Sequence, residues 1–186
     1  TLQVKKGTPT MGGIIILLAV LMPTIIFSDL SNSLIRIIIF STVWMGSIGF
    51  IDDYLKVVKK APLGLIARYK MAGQILLSLV ISYFLFNLPD FTTKTTIPFL
   101  KNTEVDFGFL YPFIIMLVIT GTSNAVNLTD GLDGLATGLL AISFTAFSAI
   151  AYITGRVDFS KYLNILYIPE AGELTIFSSA MAGACI

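Results

Sequence analysis

The chain has 186 residues, of which 55% are hydrophobic and 12% charged, with 12 Lys and Arg against 11 Asp and Glu, no His and a single Cys. A charged share about half that of an ordinary soluble domain excludes a water-soluble globule, and a net charge of +1 excludes a nucleic-acid-binding surface built on bulk charge. The lone Cys185, set in an apolar run, excludes a disulfide framework or a Cys-based metal site within the chain.

The chain opens on Thr1 without a signal-peptide pattern. Its first polar cluster is KKGTPTMGG, from Lys5 to Gly13. Lysines, two threonines and three glycines around one proline stand directly before a helix-forming run. Glycine permits close backbone approach, and a helix N-terminus favours anions, so the cluster suits a phosphorylated or nucleotide ligand. It is not a P-loop, because G-x-x-x-x-G-K-[ST] is absent. The competing reading is a capped turn leading into the membrane.

An apolar run from about Gly13 to Phe27, interrupted by Pro23, and a second from Leu34 to Ile51 flank the turn SDLSNS and predict a helical hairpin. Asp52 and Asp53 come next, at or just past the end of the second span. Carboxylates facing lipid are costly, so both must face water, a cation or protein. Neighbours on a helix point about 100° apart, which favours a division of labour: one positions a phosphate-bound metal and the other accepts a proton. Lys56 stands four residues after Asp52, a spacing that allows an ion pair or leaves the ammonium to face an anion.

A third apolar run spans about Met71 to Leu88. The stretch 89–108 mixes Thr, Lys and Phe and predicts a short hairpin. A fourth run covers Phe109 to Gly121, and after it comes NAVNLTDGLDGLA, from Asn124 to Ala136. Asn124, Asn127, Asp130 and Asp133 recur every third residue there, a slowly drifting helical stripe that Gly131 and Gly134 are expected to break into a loop. Asn offers donors and acceptors and ionised Asp acceptors only, a set suited to a ribose, a base edge or a hydrated cation. A polar packing stripe and an ion or proton pathway are the competing readings. A fifth run covers Leu135 to Ile153, and a sixth begins at Leu174 and is cut off by the chain end.

Several of these runs approach the roughly twenty residues that a hydrocarbon core demands, and backbone groups in lipid must bond internally. The expected fold is therefore all-α: a polytopic transmembrane helical bundle of about six spans, one domain over residues 1–186, read as a fragment incomplete at both ends. The three polar clusters are each separated by two spans and so share one face. Lys5, Lys6, Lys56, Lys59, Lys60, Arg68 and Lys70 sit in short connections there, which makes that face cytoplasmic, with Arg36 the main dissenter. A cytoplasmic Asn127 also removes the N-L-T sequon from consideration. The opposite acids, Asp29, Asp90, Glu104, Asp106, Asp158, Glu170 and Glu173, share no pattern and read as solvated connectors.

KKGTPTMGG, the Asp52–Asp53 pair and NLTDGLDGLA, in this order, resemble the polyprenyl-phosphate N-acetylhexosamine-1-phosphate transferase superfamily, and within it the bacterial peptidoglycan branch. The resemblance covers residues 5 to 136. It implies ten helices in the full protein, multi-pass in the bacterial inner membrane with the site facing the cytoplasm, and Mg2+ as cofactor. It implies transfer of phospho-MurNAc-pentapeptide from UDP-MurNAc-pentapeptide to undecaprenyl phosphate, giving lipid I and UMP for cell-wall synthesis. Siblings that use UDP-GlcNAc share parts of the motifs, and a carboxylate-based transporter is the rival from another class. Expected partners are the two substrates, the lipid bilayer and a second copy of the chain.

Carried over motif by motif, the resemblance makes Asp52 and Asp53 catalytic, Asp52 activating the lipid phosphate and Asp53 organising the phosphate and metal region. Asn124, Asn127, Asp130 and Asp133 line the nucleotide pocket with Leu132 against the uracil, and Lys5 and Thr10 complete it. Lys56, Lys70 or Arg68 neutralise phosphate charge. The main metal ligand and a His-bearing loop are expected beyond Ile186, so the chain as written is expected to be inactive.

Overall fold

The computed structural model describes residues 12–60, 64–89, 91–96, 104–131 and 134–186. Its helices are α1 (Gly13–Phe27), α2 (Ser33–Val57), α3 (Ala67–Phe86), α4 (Tyr111–Thr129), α5 (Leu135–Thr154), α6 (Val157–Leu163) and α7 (Leu174–Ala184). Between α3 and α4 the expected hairpin is present, with β1 (Lys94–Thr96) antiparallel to β2 (Glu104–Asp106). The fold is a transmembrane helical bundle. Four helices, α2 to α5, are long and apolar enough to cross a bilayer, while α1 and α7 are shorter, with 15 and 11 residues.

Hydroxyls inside the helices are satisfied by the carbonyls of their own helix. Ser41 and Thr42 donate to the carbonyls of Ile37 and Ile38 at 2.7 Å, and Ser78 donates to Gln74 O at 2.8 Å. Thr24, buried in α1, donates to Val20 O at 2.7 Å. Such bonds let hydroxyls reside in hydrocarbon without orphaned groups.

Helix order in space is α4, α3, α2, α1, α7, α5, so the last helix sits between the first and the fifth, and α4 and α5 pack on each other far less although consecutive. Small residues set the close approaches. A Cβ on Gly46 would lie 2.8 Å from Leu17 Cδ1 of α1, and one on Gly73 of α3 would lie 2.6 Å from Ile48 Cδ1 of α2. Trp44 Nε1 donates to Gly73 O at 3.0 Å across the same seam. Large apolar side chains remain outside, Leu117 at 71% and Ile142 at 71% exposure among them, a surface that suits lipid and not water.

The two ends of the bundle carry separate polar networks. At one end buried Asn32 caps α2, accepting from the amides of Leu34 (2.8 Å) and Ile35 (3.2 Å), and donates to Glu170 O at 2.9 Å. Glu173 accepts from the Asp29 amide at 2.9 Å. The Ser31 hydroxyl and amide hold the Asp29 carboxyl below its ordinary range. Here the reading of patternless solvated connectors is corrected: Asp29, Glu170 and Glu173 join the 28–32 turn to the segment before α7, and 157–163 forms a short helix. The physical reason is packing: α7 lies on α1 and α5, which brings the connection ahead of it against the α1–α2 turn.

Candidate active site

At the other end, α2 continues past its apolar run to Val57, which places Asp52 and Asp53 on its last turns. Their different directions, expected from adjacency, are realised. Asp52 is buried at 8% exposure and faces α3: its Oδ2 accepts from Lys56 Nζ at 2.7 Å and Lys70 Nζ at 2.8 Å, and its Oδ1 from the Leu65 amide at 2.7 Å. Three donors, two of them cationic, occupy this carboxylate. Lys56 and Lys70, expected at phosphate, are held in this structure by Asp52, and both remain partly exposed. Arg68 is exposed on the first turn of α3.

Asp53 is half-buried and points the other way, into a cleft of about 240 Å3 between α1 and α2 lined by Gly13, Leu17, Gly46 and Phe50. Gly13 is the last residue of KKGTPTMGG and the first of α1, so the structure joins the end of the first motif to the second acid of the second. Lys5 and Thr10 lie outside the described residues. Among the described residues Asp53 has neither an ion pair nor a hydrogen-bonding partner.

The third cluster begins on α4. That helix runs on to Thr129, so Asn124 and Asn127 stand on its exposed final turns, and Asp130 is its exposed C-cap. The expected break follows, with Gly134 at φ 82° leading into α5. Leu132 and Asp133 lie outside the described residues. α3 connects the clusters: Lys70 reaches Asp52 on α2, and Gln74, one turn further and about 6 Å along the axis, reaches Asn124 and Ser123 on α4.

The glycosyl transferase family 4 profile matches residues 35–186, which include the acid pair, the α4 stripe, all but the first two residues of α2 and every helix from α3 to α7. The chain belongs to glycosyl transferase family 4. A second match, phospho-N-acetylmuramoyl-pentapeptide-transferase signature 1, falls on residues 5–17. Relatives named phospho-N-acetylmuramoyl-pentapeptide-transferase include those of Chloroherpeton thalassium (46% identical over 98% of this chain and 50% of the relative) and Citrifermentans bemidjiense (48%, over 97% and 50%). That of Thermodesulfovibrio yellowstonii is 49% identical over 98% of this chain and 51% of its own length. The chain spans about half the length of the curated relatives it matches.

Sequence reasoning missed two parts of this family 4 site. The first is Gly64, at φ 59°, where an added Cβ would collide with Asp52 Oδ1 and lie 2.6 Å from Lys56 Cε. Only a glycine lets the 64–65 turn approach closely enough for the Leu65 amide to reach Asp52. The Pro-Gly punctuation of APLGL, residues 61–65, was the available signal. We expect Gly64→Ala to cost about 1–3 kcal/mol of stability through strain and displacement of Asp52, read as a lowered unfolding midpoint in detergent; an unchanged midpoint would show that the turn has another way to accommodate the methyl. The second missed part is Gln74, buried at 5% exposure. Its signal was a lone amide in an apolar run.

The donor set discriminates between the acids as holders of a divalent cation. Mg2+ is commonly held by one or two carboxylates plus substrate phosphates and water. Asp53, with no described partner and facing a cleft, fits that role; Asp52, already bonded to two ammonium groups and an amide, does not. No group of three or more His, Cys, Asp and Glu converges among the described residues.

Proposed function

We propose that the complete protein transfers phospho-MurNAc-pentapeptide from UDP-MurNAc-pentapeptide to undecaprenyl phosphate, at the cytoplasmic face of the bacterial inner membrane. The observation that carries this reading is the coincidence of the signature at residues 5–17 with an acid pair, two lysines and an Asn/Asp stripe at one end of a membrane bundle. An oxygen of the lipid phosphate attacks the β-phosphorus of the UDP-sugar; the bond from that phosphorus to the oxygen bridging to the α-phosphate breaks, and UMP leaves with the electron pair. Lipid I keeps the sugar and the new diphosphate.

Each residue has a task in this scheme. Mg2+, when bound, neutralises the diphosphate. Asp53 holds it from the α1–α2 cleft. Asp52 acts through Lys56 and Lys70, fixing two ammonium groups where two anionic substrates must approach each other, since phosphoryl transfer chiefly requires positioning and charge neutralisation. This revises the expected role of Asp52 as the group that activates the lipid phosphate. A phosphomonoester with a pKa of about 6 is largely ionised near neutrality and needs little help from a base. Asn127, Asp130 and Asp133, with Leu132, receive the nucleotide.

The test is UMP release by the full-length protein supplied with UDP-MurNAc-pentapeptide, undecaprenyl phosphate and Mg2+. Turnover that requires all three supports the proposal. Preference for UDP-GlcNAc would move the protein to the sibling branch, and ion flux in proteoliposomes without UMP release would make it a transporter.

A further inference from the structure

Gln74 is the most deeply buried amide of the site end, and the proposed chemistry gives it no task. Its bonds form a chain whose direction is fixed from one end. Asn124 places its Nδ2 2.7 Å from the carbonyl oxygen of Thr120 and 3.2 Å from Gln74 Oε1. Turning the Asn124 amide over would set its oxygen against a backbone carbonyl, which has no proton to give. Thr120 O therefore fixes Asn124, Asn124 fixes Gln74 with its oxygen inward, and Gln74 Nε2 is left to donate to Ser123 Oγ at 2.9 Å.

Both Asn124 protons are used within the bundle, yet the residue is exposed and its Oδ1 has no partner among the described residues. Asn124 consequently offers its surroundings an acceptor only, on the exposed final turns of α4 that also carry Asn127 and end at Asp130.

We propose that Gln74 is a positioning residue that takes the second amide proton of Asn124 and so locks the orientation set by Thr120 O, with Asn124 Oδ1 left to accept from an N–H or O–H donor of a uridine nucleotide. This rests on the nucleotide-binding reading above. The donor is the imide N–H of the base or a ribose hydroxyl, both groups that an acceptor selects and a freely rotating amide would not. A purely structural Gln74, gluing α3 to α4, would affect stability alone.

The experiment uses the full-length protein and measures UMP binding, KM for the UDP-substrate and kcat for Gln74→Leu and Gln74→Glu. Leucine removes one of the two bonds that hold the Asn124 amide, leaving only the one to Thr120 O and an amide free to swing about it. We expect UMP to bind about tenfold more weakly and KM to rise by a similar factor, with kcat within about threefold. Glutamate keeps an oxygen for Asn124 and restores most of the affinity. UMP analogues lacking the 2′ or 3′ hydroxyl, or methylated at N3, identify the donor: one of them loses affinity in the wild type and loses nothing more in Gln74→Leu. Unchanged UMP affinity in Gln74→Leu, whatever its unfolding midpoint, overturns the inference, as does a set of analogues that all bind like UMP. If the leucine variant does not fold, Asn124→Ala carries the same expectation and the same overturning result. A wild-type protein that does not bind UMP defeats the functional reading itself, and the inference with it.

Discussion

Asp53→Asn lowers UMP release by the full-length protein at least about 100-fold, roughly 2.7 kcal/mol of barrier, while leaving its stability within about 0.5 kcal/mol. The split between the two readouts is the point. Asp53 has no described partner to lose, so the isosteric amide disturbs little, and its cleft already adjoins the start of α1. An amide still offers an oxygen but no charge, so a divalent cation is held more weakly and the Mg2+ concentration for half-maximal rate rises. Unchanged turnover would remove Asp53 from the chemistry, and a stability loss matching the rate loss would make its role structural.

Asp52→Asn shows the opposite balance, with turnover and stability falling together. The amide oxygen still accepts from the Leu65 amide, but an NH2 group replaces the oxygen that holds two ammonium groups at 2.7 and 2.8 Å. Loss of one partner from a buried pair costs about 3–5 kcal/mol. The lysines, 45% and 33% exposed, relax into solvent, which reduces the expected loss to about 1–3 kcal/mol. Turnover falls by at least about tenfold, because freed lysines no longer present fixed charges to the phosphates. Thermal unfolding beside UMP release checks both; a variant with wild-type stability and no turnover would show that Asp52 reacts directly and does not merely clamp the lysines.

The spans were legible because hydrophobic runs decide which segments enter lipid, but hydropathy alone did not mark where the helices end. The apolar run ends at Gly121, whereas α4 continues to Thr129, just short of the break expected at Gly131. Hydropathy falls at the first polar residue, whereas helical hydrogen bonding does not: Asn124 and Thr129 return their side chains to the carbonyls of Thr120 and Ala125 and stay within the helix. At the site, the Asp52–Lys56 pair was readable from i,i+4 spacing. Lys70 and the Leu65 amide were not, because they arrive through a turn whose geometry depends on Gly64. Gln74 was invisible for a related reason, since a single amide in an apolar run acquires meaning only when a neighbouring helix supplies Asn124 and Ser123.

The position of α7 between α1 and α5 has a consequence for how the protein is made. α1 is synthesised first among the described helices, yet the helix that covers its side towards α5 follows roughly 150 residues later, which at about 5–20 residues per second is a delay on the order of 10–30 s. Once α5 has also been made, over roughly the last 20 residues of that interval, α1 and α5 are both in the membrane without the wedge that joins them, and lipid or the insertion machinery must occupy the gap. Assembly of this half of the bundle therefore ends with a displacement: α7 enters a slot that already has an occupant.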